Sequence, residues 1–152
     1  WAIGHAYNLS GQLDQALPHF EQARQLGDGS DRLTRELANA YLALEMFDQA
    51  LPNYQRLLEY NPNDPEAHSA LAFIYARQGR LAEAIQENQI VLQLLPSDYD
   101  SLKNLAILYQ QQGQWQEALA VARQAQAVAP EAEQPSWQQF IADLEQQIAA
   151  TG

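Results

Sequence analysis

The chain has 152 residues and a formal net charge of −11 at pH 7, from 8 Lys plus Arg against 19 Asp plus Glu. That charge argues against unaided nucleic-acid binding, which needs an electropositive surface, and the absence of cysteine excludes disulfides and thiolate metal sites. The 47% of hydrophobic residues is enough for a core, but no apolar run reaches the length of about eighteen that predicts a membrane span.

Four series of residues recur with a period of 34 along the sequence. The uniform series are Tyr7, Tyr41, Tyr75, Tyr109 and Ala16, Ala50, Ala84, Ala118. The other two are Gly11, Gly79, Gly113, with Glu45 in the second copy, and Pro62, Pro96, Pro130, with Asp28 at the first expected position. A period shared by four series indicates an internal repeat, and the repeat determines the fold class.

In chain order, the first two units share a proline inside their second predicted helix. Pro18 and Pro52 each follow Ala-Leu, and each removes one backbone hydrogen bond, which predicts a slight bend. Residues 27–30 predict a loop between the units rather than a phosphate-binding loop, because no Lys-Ser or Lys-Thr follows. Ser30 or Asp31 is the predicted cap of the next helix.

The third unit predicts two amphipathic helices. Asp64 supplies a cap, Pro65 the first helical position and Glu66 an acid in the first turn. The first-helix core residues recur every three or four positions: His68, Leu71, Ala72 and Tyr75. Gly79 ends this helix because glycine adopts the left-handed conformation at little cost, and Pro96 ends the second helix. Alanine in the middle of both helices predicts a close approach of their backbones.

The fourth unit and the segment after it continue this pattern. The fourth unit has Leu102, Leu105, Ala106 and Tyr109, then Trp115, Ala118, Leu119, Ala122 and Ala125. After Pro130, an apolar stripe is formed by Trp137, Phe140, Ile141, Leu144 and Ile148. With one inserted residue, Trp137, Phe140 and Leu144 fall at the first-helix core positions of a degenerate fifth repeat. The stripe predicts a terminal helix with one apolar face and one solvent-exposed polar face.

These residues resemble the tetratricopeptide repeat, a 34-residue family motif of two helices. The match is tightest in the first, N-terminally truncated unit: Ile3, Gly4, Tyr7, Ala16, Phe20 and Ala23. The motif's tryptophan is replaced by Thr34, His68 and Leu102, and its later aromatic residue by Asn88 and Ala122 in the last two copies.

The resemblance implies an all-α fold, a right-handed α-solenoid of antiparallel helix pairs with a C-terminal capping helix. It implies a single domain over residues 1–152, with repeats at 1–30, 31–64, 65–98 and 99–132 and the capping helix at 135–150. Because the sequence begins at Trp1 with a truncated unit and no signal peptide, we expect it to be a piece of a longer chain.

The resemblance also implies that the first helix of each repeat lines a concave groove that holds the ligand. We predict a peptide-binding groove formed by Arg32, Arg35, Asn39, Leu42, Ser69, Phe73, Ala76, Arg77, Lys103, Ile107, Gln110 and Gln111. Ala43, Glu66 and Asp100 occupy neighbouring groove positions, and the first repeat contributes Trp1, His5, Asn8 and Leu9.

Basic residues are concentrated in this predicted groove. Four of the 8 in the chain belong to it, namely Arg32, Arg35, Arg77 and Lys103. The groove therefore suits a peptide or helix with acidic and apolar groups, because guanidinium forks bind carboxylates and Leu42, Phe73 and Ile107 add apolar contact. The alternative is that these bases are solvated or paired with Glu36, Glu66 or Asp100.

One subclass of the family grips the carboxylate-terminated tails of chaperones, and this sequence fits it poorly. Arg35 and Asn39 resemble the first pair of its clamp. The remaining clamp positions hold Ala70, Asp100 and Asn104, and an aspartate repels the carboxylate that the clamp must bind.

The sequence predicts neither catalysis nor a cofactor. His5 and His19 lie on adjacent helices, but two histidines without a further ligand make a poor zinc site, and His68 falls at a core position. No nucleophile-elbow or zinc-protease motif is present. Asn8 begins a glycosylation-acceptor pattern at a helix end, which we do not expect to be used.

We therefore predict a non-catalytic protein–protein interaction scaffold, with the assembly of a larger complex as one role. The alternatives are a structural module that self-associates through exposed repeat edges, or the regulatory array of a longer multidomain protein. The Gln- and Ala-rich composition is similar to bacterial repeat proteins. We expect a cytoplasmic protein, or one tethered to a membrane through a missing N-terminal segment.

Overall fold

The computed structural model describes residues 2–9 and 11–151, and over these residues all regular secondary structure is helical. The helices are α1 Ala2–Leu9, α2 Leu13–Gln25, α3 Asp31–Ala43, α4 Phe47–Tyr60, α5 Pro65–Arg77, α6 Leu81–Leu94, α7 Tyr99–Gln111, α8 Trp115–Val128 and α9 Gln134–Thr151, with a 3-10 turn at Glu131–Glu133 before α9. The all-α prediction is confirmed. None of the described helices combines the length and the apolarity needed to cross a membrane.

The chain forms two compact units, with the boundary inside α5 between Ile74 and Tyr75. In the first unit, α1 packs on α2, α2 on α3 and α3 on α4. In the second unit, α6 packs on α7, α7 on α8 and α8 on α9. Successive helices joined by short turns therefore pack as hairpins within each unit. The single domain over residues 1–152, with its repeat boundaries, stays a prediction.

The turn inside each helical hairpin requires a left-handed residue. Gly11, Gly79 and Gly113 have φ of 74°, 74° and 72°, and Glu45 occupies the equivalent position with φ of 55°. The next amide donates back to the carbonyl of the repeat tyrosine, as from Met46 to Tyr41 at 2.8 Å. This geometry closes the helix end, so glycine is favoured there and Glu45 carries backbone strain.

Replacing Glu45 by glycine relieves that strain. We expect Glu45→Gly to raise the free energy of unfolding by about 0.5–1 kcal/mol. Glycine removes the cost of holding a side-chain-bearing residue in the left-handed conformation, but part of that gain is offset because glycine has more conformational entropy in the unfolded chain. The reverse substitution, Gly79→Ala, should lower it by about 1 kcal/mol. A Cβ at Gly79 meets nothing within 4 Å, so this loss is purely conformational. Urea titration followed by circular dichroism measures both, and equal stabilities would contradict the strain.

Small side chains allow the paired helices to approach closely. The repeat alanines are fully buried, with exposures of 0% at Ala16, Ala50, Ala84 and Ala118. In the first hairpin, a Cβ added at Gly4 would lie 2.9 Å from Cδ1 of the buried Phe20. Such a distance is shorter than real contacts allow, so this position accepts only glycine without a shift of the ring.

The two predicted helix prolines lie on exposed positions. Pro18 lies inside α2 and Pro52 inside α4, and both helices continue past them. Each ring removes one amide donor at the helix surface, where water can satisfy the carbonyl that is left over. The prolines therefore do not end these helices.

The terminal helix α9 belongs to the core of the second unit. It covers the predicted range 135–150, and its buried side chains are Trp137 and Leu144. These join a cluster of buried residues from α7 and α8: Leu102, Ala106, Ala118, Ala122 and Ala125. The remaining surface of α9 is largely exposed and rich in glutamine. The helix therefore has one apolar face and one solvent-exposed polar face, as its pattern predicts.

Candidate functional site

The predicted groove residues divide between the two units. The first unit contains Arg32, Arg35, Asn39, Leu42, Ser69 and Phe73, and the second contains Ala76, Arg77, Lys103, Ile107, Gln110 and Gln111. All of them are exposed or half-buried. Two groove residues predicted for the first repeat, Trp1 and Leu9, cannot be placed: Trp1 and the side chain of Leu9 lie outside the described residues.

Arg35 on α3 is held by two carboxylates of its own unit. Its Nη2 donates to Oδ2 of Asp64 at 2.6 Å, and its Nη1 lies 3.5 Å from Oε2 of Glu66. The Asp64 carboxylate is nearly buried and also caps α5, accepting from the amides of Glu66 at 3.0 Å and Ala67 at 3.2 Å. The bond to Asp64 raises the pKa of Arg35. This base is thus paired within the chain.

The Asp64 carboxylate also makes stability depend on pH. Its burial raises its pKa, but the hydrogen bonds from Arg35 and from the two amides outweigh burial and leave the pKa below the ordinary value of 3.8. A depressed pKa adds stability that is present above pH 4 and is lost as the pH falls through the lowered value.

We expect Asp64→Asn to lower the free energy of unfolding at pH 7 by about 1 kcal/mol, because asparagine still caps a helix but loses the charge-assisted bond. The estimate is small because Arg35 is 36% exposed and solvent screens the pair. Urea midpoints between pH 7 and pH 3 measure the loss. It should shrink as the pH falls, and a loss that does not vary with pH would contradict the role of the charge.

The side chain of Asn39 is oriented by a tyrosine of the next helix. Its Oδ1 accepts from the hydroxyl of Tyr54 at 2.7 Å. Burial raises the pKa of Tyr54 to about 12, so the hydroxyl remains a donor at neutral pH. With the amide oxygen bound, its NH₂ group is the part suited to the carbonyl of a bound peptide.

Phe73 is an exposed apolar residue in the first unit. It is 46% exposed, and its ring packs edge-on against Phe47 with 6.0 Å between the centroids. Phe47, which the sequence did not single out, therefore fixes the ring on one side while the other side remains accessible.

His5 and His19, which the sequence offers as a possible metal-binding pair, contact different partners. The Nδ1 of His5 lies 3.1 Å from Oε1 of Glu36, and Asn8 donates to the same carboxylate. His19 instead stacks on Tyr7, with 5.7 Å between the centroids. Among the described residues, no group of three or more acidic or histidine side chains is placed to hold a metal ion.

In the second unit, Lys103 belongs to a hydrogen-bonded cluster between α7 and α9. Its Nζ donates to Oε2 of Glu133 at 2.8 Å, and the Tyr99 hydroxyl donates to the same oxygen at 2.6 Å. The indole Nε1 of Trp137 then donates to the Tyr99 oxygen at 2.8 Å. This chain of bonds fixes the start of α9 against α7.

The cluster is charged at neutral pH. The bond to Glu133 raises the pKa of Lys103, and the bonds from Lys103 and then Tyr99 lower the pKa of Glu133. Loss of solvation, followed by the bond to Glu133, raises the pKa of Tyr99, which keeps its hydroxyl a donor. The ammonium and the carboxylate therefore persist as an ion pair near pH 7.

A pocket of about 270 Å³ opens beside this cluster, and we call it the α7–α9 pocket. It is lined by Lys103, Ile107, Glu133, Ser136, Trp137 and Phe140. The rings of Trp137 and Phe140 meet edge-to-face, with centroids 5.5 Å apart, and Ile107 is 37% exposed. An apolar wall with a few polar groups at its edge is typical of a binding site.

The pocket contains some predicted residues and several that the sequence did not assign to a site. Lys103 and Ile107 meet there, whereas Ala76, Arg77, Gln110 and Gln111 do not line it. The wall from α9 was predicted only as a cap. The phase of its apolar stripe, which matches a first helix, was the signal that could have assigned it to the binding surface.

Family profiles of the tetratricopeptide repeat match three segments: residues 8–51, 35–99 and 101–136. The chain is a tetratricopeptide repeat protein. The fold, the glycine turns and the small buried alanines of this repeat protein are thus those expected from its family.

Solved structures agree with this assignment. YrrB, described as a TPR protein with an unusual peptide-binding site, is 28% identical, with a TM-score of 0.77 over 84% of this chain and 66% of that one. MamA MSR-1 is 25% identical, with a TM-score of 0.76 over 83% of this chain and 72% of that one. Another MamA structure, 13% identical, covers 98% of this chain with a TM-score of 0.77, which shows the fold alone. No curated protein sequence matches the chain significantly.

The family and these neighbours support a protein–protein interaction scaffold. Tetratricopeptide repeats are typically non-catalytic interaction modules. In the second unit of this repeat protein, the α7–α9 pocket combines an apolar wall with a lysine, a glutamate and a serine at its edge.

Proposed function

We propose that this tetratricopeptide repeat protein is a scaffold that captures an extended or helical segment of a partner protein, anchored by one large apolar side chain in the α7–α9 pocket. The single observation that carries the proposal is the pocket itself. Its wall comes from Ile107, Trp137 and Phe140, and a chain of hydrogen bonds holds α9 in place beside it. Assembly of a larger complex is the role that we propose for such capture.

The dimensions of the pocket support an anchor rather than a cofactor. Its volume of about 270 Å³ lies below the range of sites for small molecules, which run from about 300 to 1,000 Å³. A single large side chain in a preformed apolar pocket is the usual energetic centre of a peptide interface. Because a hydrogen bond to Tyr99 already fixes the Trp137 side chain, binding loses little conformational entropy at this residue.

The comparison with YrrB gives independent support, because that protein is described as having a peptide-binding site and shares the fold at 28% identity. The first unit, taken by itself, presents groups of the kind that bind a peptide, namely the exposed ring of Phe73 and the oriented amide of Asn39. The peptide-binding role of the remaining predicted groove residues stays a prediction.

A charge placed in the pocket wall tests the proposal. Peptides are first selected from a random display library on the unmodified chain, and their affinities are then measured by fluorescence anisotropy. We expect Ile107→Glu to weaken binding about tenfold or more, because a carboxylate in an apolar pocket replaces the contact with the anchor. Gln124→Glu, an exposed change on α8, is the matched control.

The control should bind as the unmodified chain does, and both variants should unfold at similar urea concentrations. If peptides bind Ile107→Glu as tightly as they bind the control, the pocket is not the anchor site. Self-association through repeat edges stays a prediction, and sedimentation over a range of protein concentrations measures it.

A further inference from the structure

The charges around the α7–α9 pocket do not match the acidic partner that the sequence predicts. Lys103 is the basic residue in the pocket wall, and its ammonium is already bound to Glu133 at 2.8 Å. Asp100 in the first turn of α7 also acts on Lys103 electrostatically, and it is exposed. One positive charge therefore faces at least two negative ones at this site.

The carboxylate of Glu133 remains reachable by a partner. Both of its hydrogen bonds, from Lys103 and Tyr99, end on Oε2, and 39% of the side chain is exposed. An incoming ammonium or guanidinium can therefore approach this carboxylate without breaking the bonds that hold α9. An incoming carboxylate would have to displace Glu133 from Lys103, and the negative charge of Asp100 would repel it.

We propose that the segment bound at the α7–α9 pocket is basic and apolar: it inserts one large apolar side chain and places a lysine or arginine beside it, against Glu133 and Asp100. This inference rests on the proposed function and specifies the chemistry of its partner. The formal charge of −11 acts in the same direction, because it attracts a basic segment from a distance and repels an acidic one.

The first unit, taken by itself, has the same arrangement. Arg35 is the base there, and it is bound to Asp64 and Glu66 within the chain. Asp31 on the same helix also acts on it electrostatically. In each unit, one of the bases that the sequence offers for carboxylate binding, Arg35 in the first and Lys103 in the second, is bound by the chain's own carboxylates. The sequence pattern shows the bases, but only folding brings the acids to them.

The test uses the peptides selected on the unmodified chain and two charge variants of the pocket edge. Lys103→Gln should bind the selected peptides about two- to fivefold more tightly, because it frees Glu133 and removes a repulsive charge. Glu133→Gln should bind them more weakly by a similar factor, since glutamine keeps an acceptor for Tyr99 but loses the charge. The selected peptides should contain Lys or Arg next to a large apolar residue.

Opposite results would overturn the inference without affecting the proposed function. Acidic peptides that lose affinity for Lys103→Gln would identify Lys103 as the ligand-binding group. Peptides that respond to neither charge variant, but still lose affinity for Ile107→Glu, would show a neutral partner. If Ile107→Glu has no effect, it is the proposed function that fails, whatever the charge of the peptides. Unchanged circular dichroism of each variant confirms that the fold is intact.

Discussion

Leu144→Ala should lower the free energy of unfolding by about 2–5 kcal/mol, the range for a leucine truncated in a core that cannot collapse around it. Leu144 is 0% exposed and lies in the buried cluster that joins α9 to α7 and α8. The loss is large because α9 has just one other buried residue among those described, Trp137. Urea unfolding followed by tryptophan fluorescence measures it.

The matched control for this variant is Gln146→Ala on the exposed side of the same helix. It should change the free energy of unfolding by no more than about 0.5 kcal/mol, as surface substitutions usually do. If Leu144→Ala were equally harmless, α9 would not be docked, and the α7–α9 pocket would have no second wall. Affinity for the selected peptides should fall together with the stability.

Ala118→Leu should be destabilising by about 1–3 kcal/mol or more, because three extra carbon atoms have no space between closely packed helices. Ala118 is 0% exposed, and it belongs to the same buried cluster as Ala106 and Ala122. The small side chain is therefore a steric requirement of the hairpin and not a default choice for a helix.

Ala120→Leu isolates the steric effect, because it makes the same change two residues away at an exposed position of α8. Leucine and alanine have similar helix propensities, so this control should change stability little. Chemical denaturation of both variants gives the comparison. Equal stabilities would mean that the repeat alanines do not set the distance between helices.

Much of the fold is predictable from the sequence because each structural requirement recurs in several copies. The left-handed turn selects glycine at Gly11, Gly79 and Gly113, and the close helix contact selects alanine at regular intervals. Glu45 breaks the glycine series, yet it takes the same conformation with φ of 55°. The surrounding hairpin therefore imposes the turn even where the local residue disfavours it.

The candidate site is less predictable, because its properties depend on contacts between residues distant in sequence. Lys103 and Ile107 were assigned to the groove, but the partner of Lys103 lies 30 positions further along the chain, at Glu133. Arg35 is likewise bound to Asp64, which the sequence identifies only as a helix cap. A residue's position in the repeat therefore predicts its exposure, whereas its ion-pair partner depends on the packed loops.

From the sequence, α9 is predicted only as a capping helix. In the folded chain, Trp137 and Phe140 of this helix form part of the pocket wall. In the proposed site, this capping helix thus supplies one wall of the binding pocket. Only the folded structure reveals this role, because apolar periodicity does not distinguish a buried aromatic ring from one that lines a cavity.

The most direct test is a nuclear magnetic resonance titration of the full chain with a selected peptide, observing the indole N–H signals of Trp137 and Trp115. Trp137 lines the α7–α9 pocket, whereas Trp115 at the start of α8 lines a separate hollow with Gln114 and Ile148. We predict that the Trp137 signal shifts on binding, together with amides of α7 and α9, while the Trp115 signal stays in place. A shift of Trp115 with an unchanged Trp137 would contradict the proposed site.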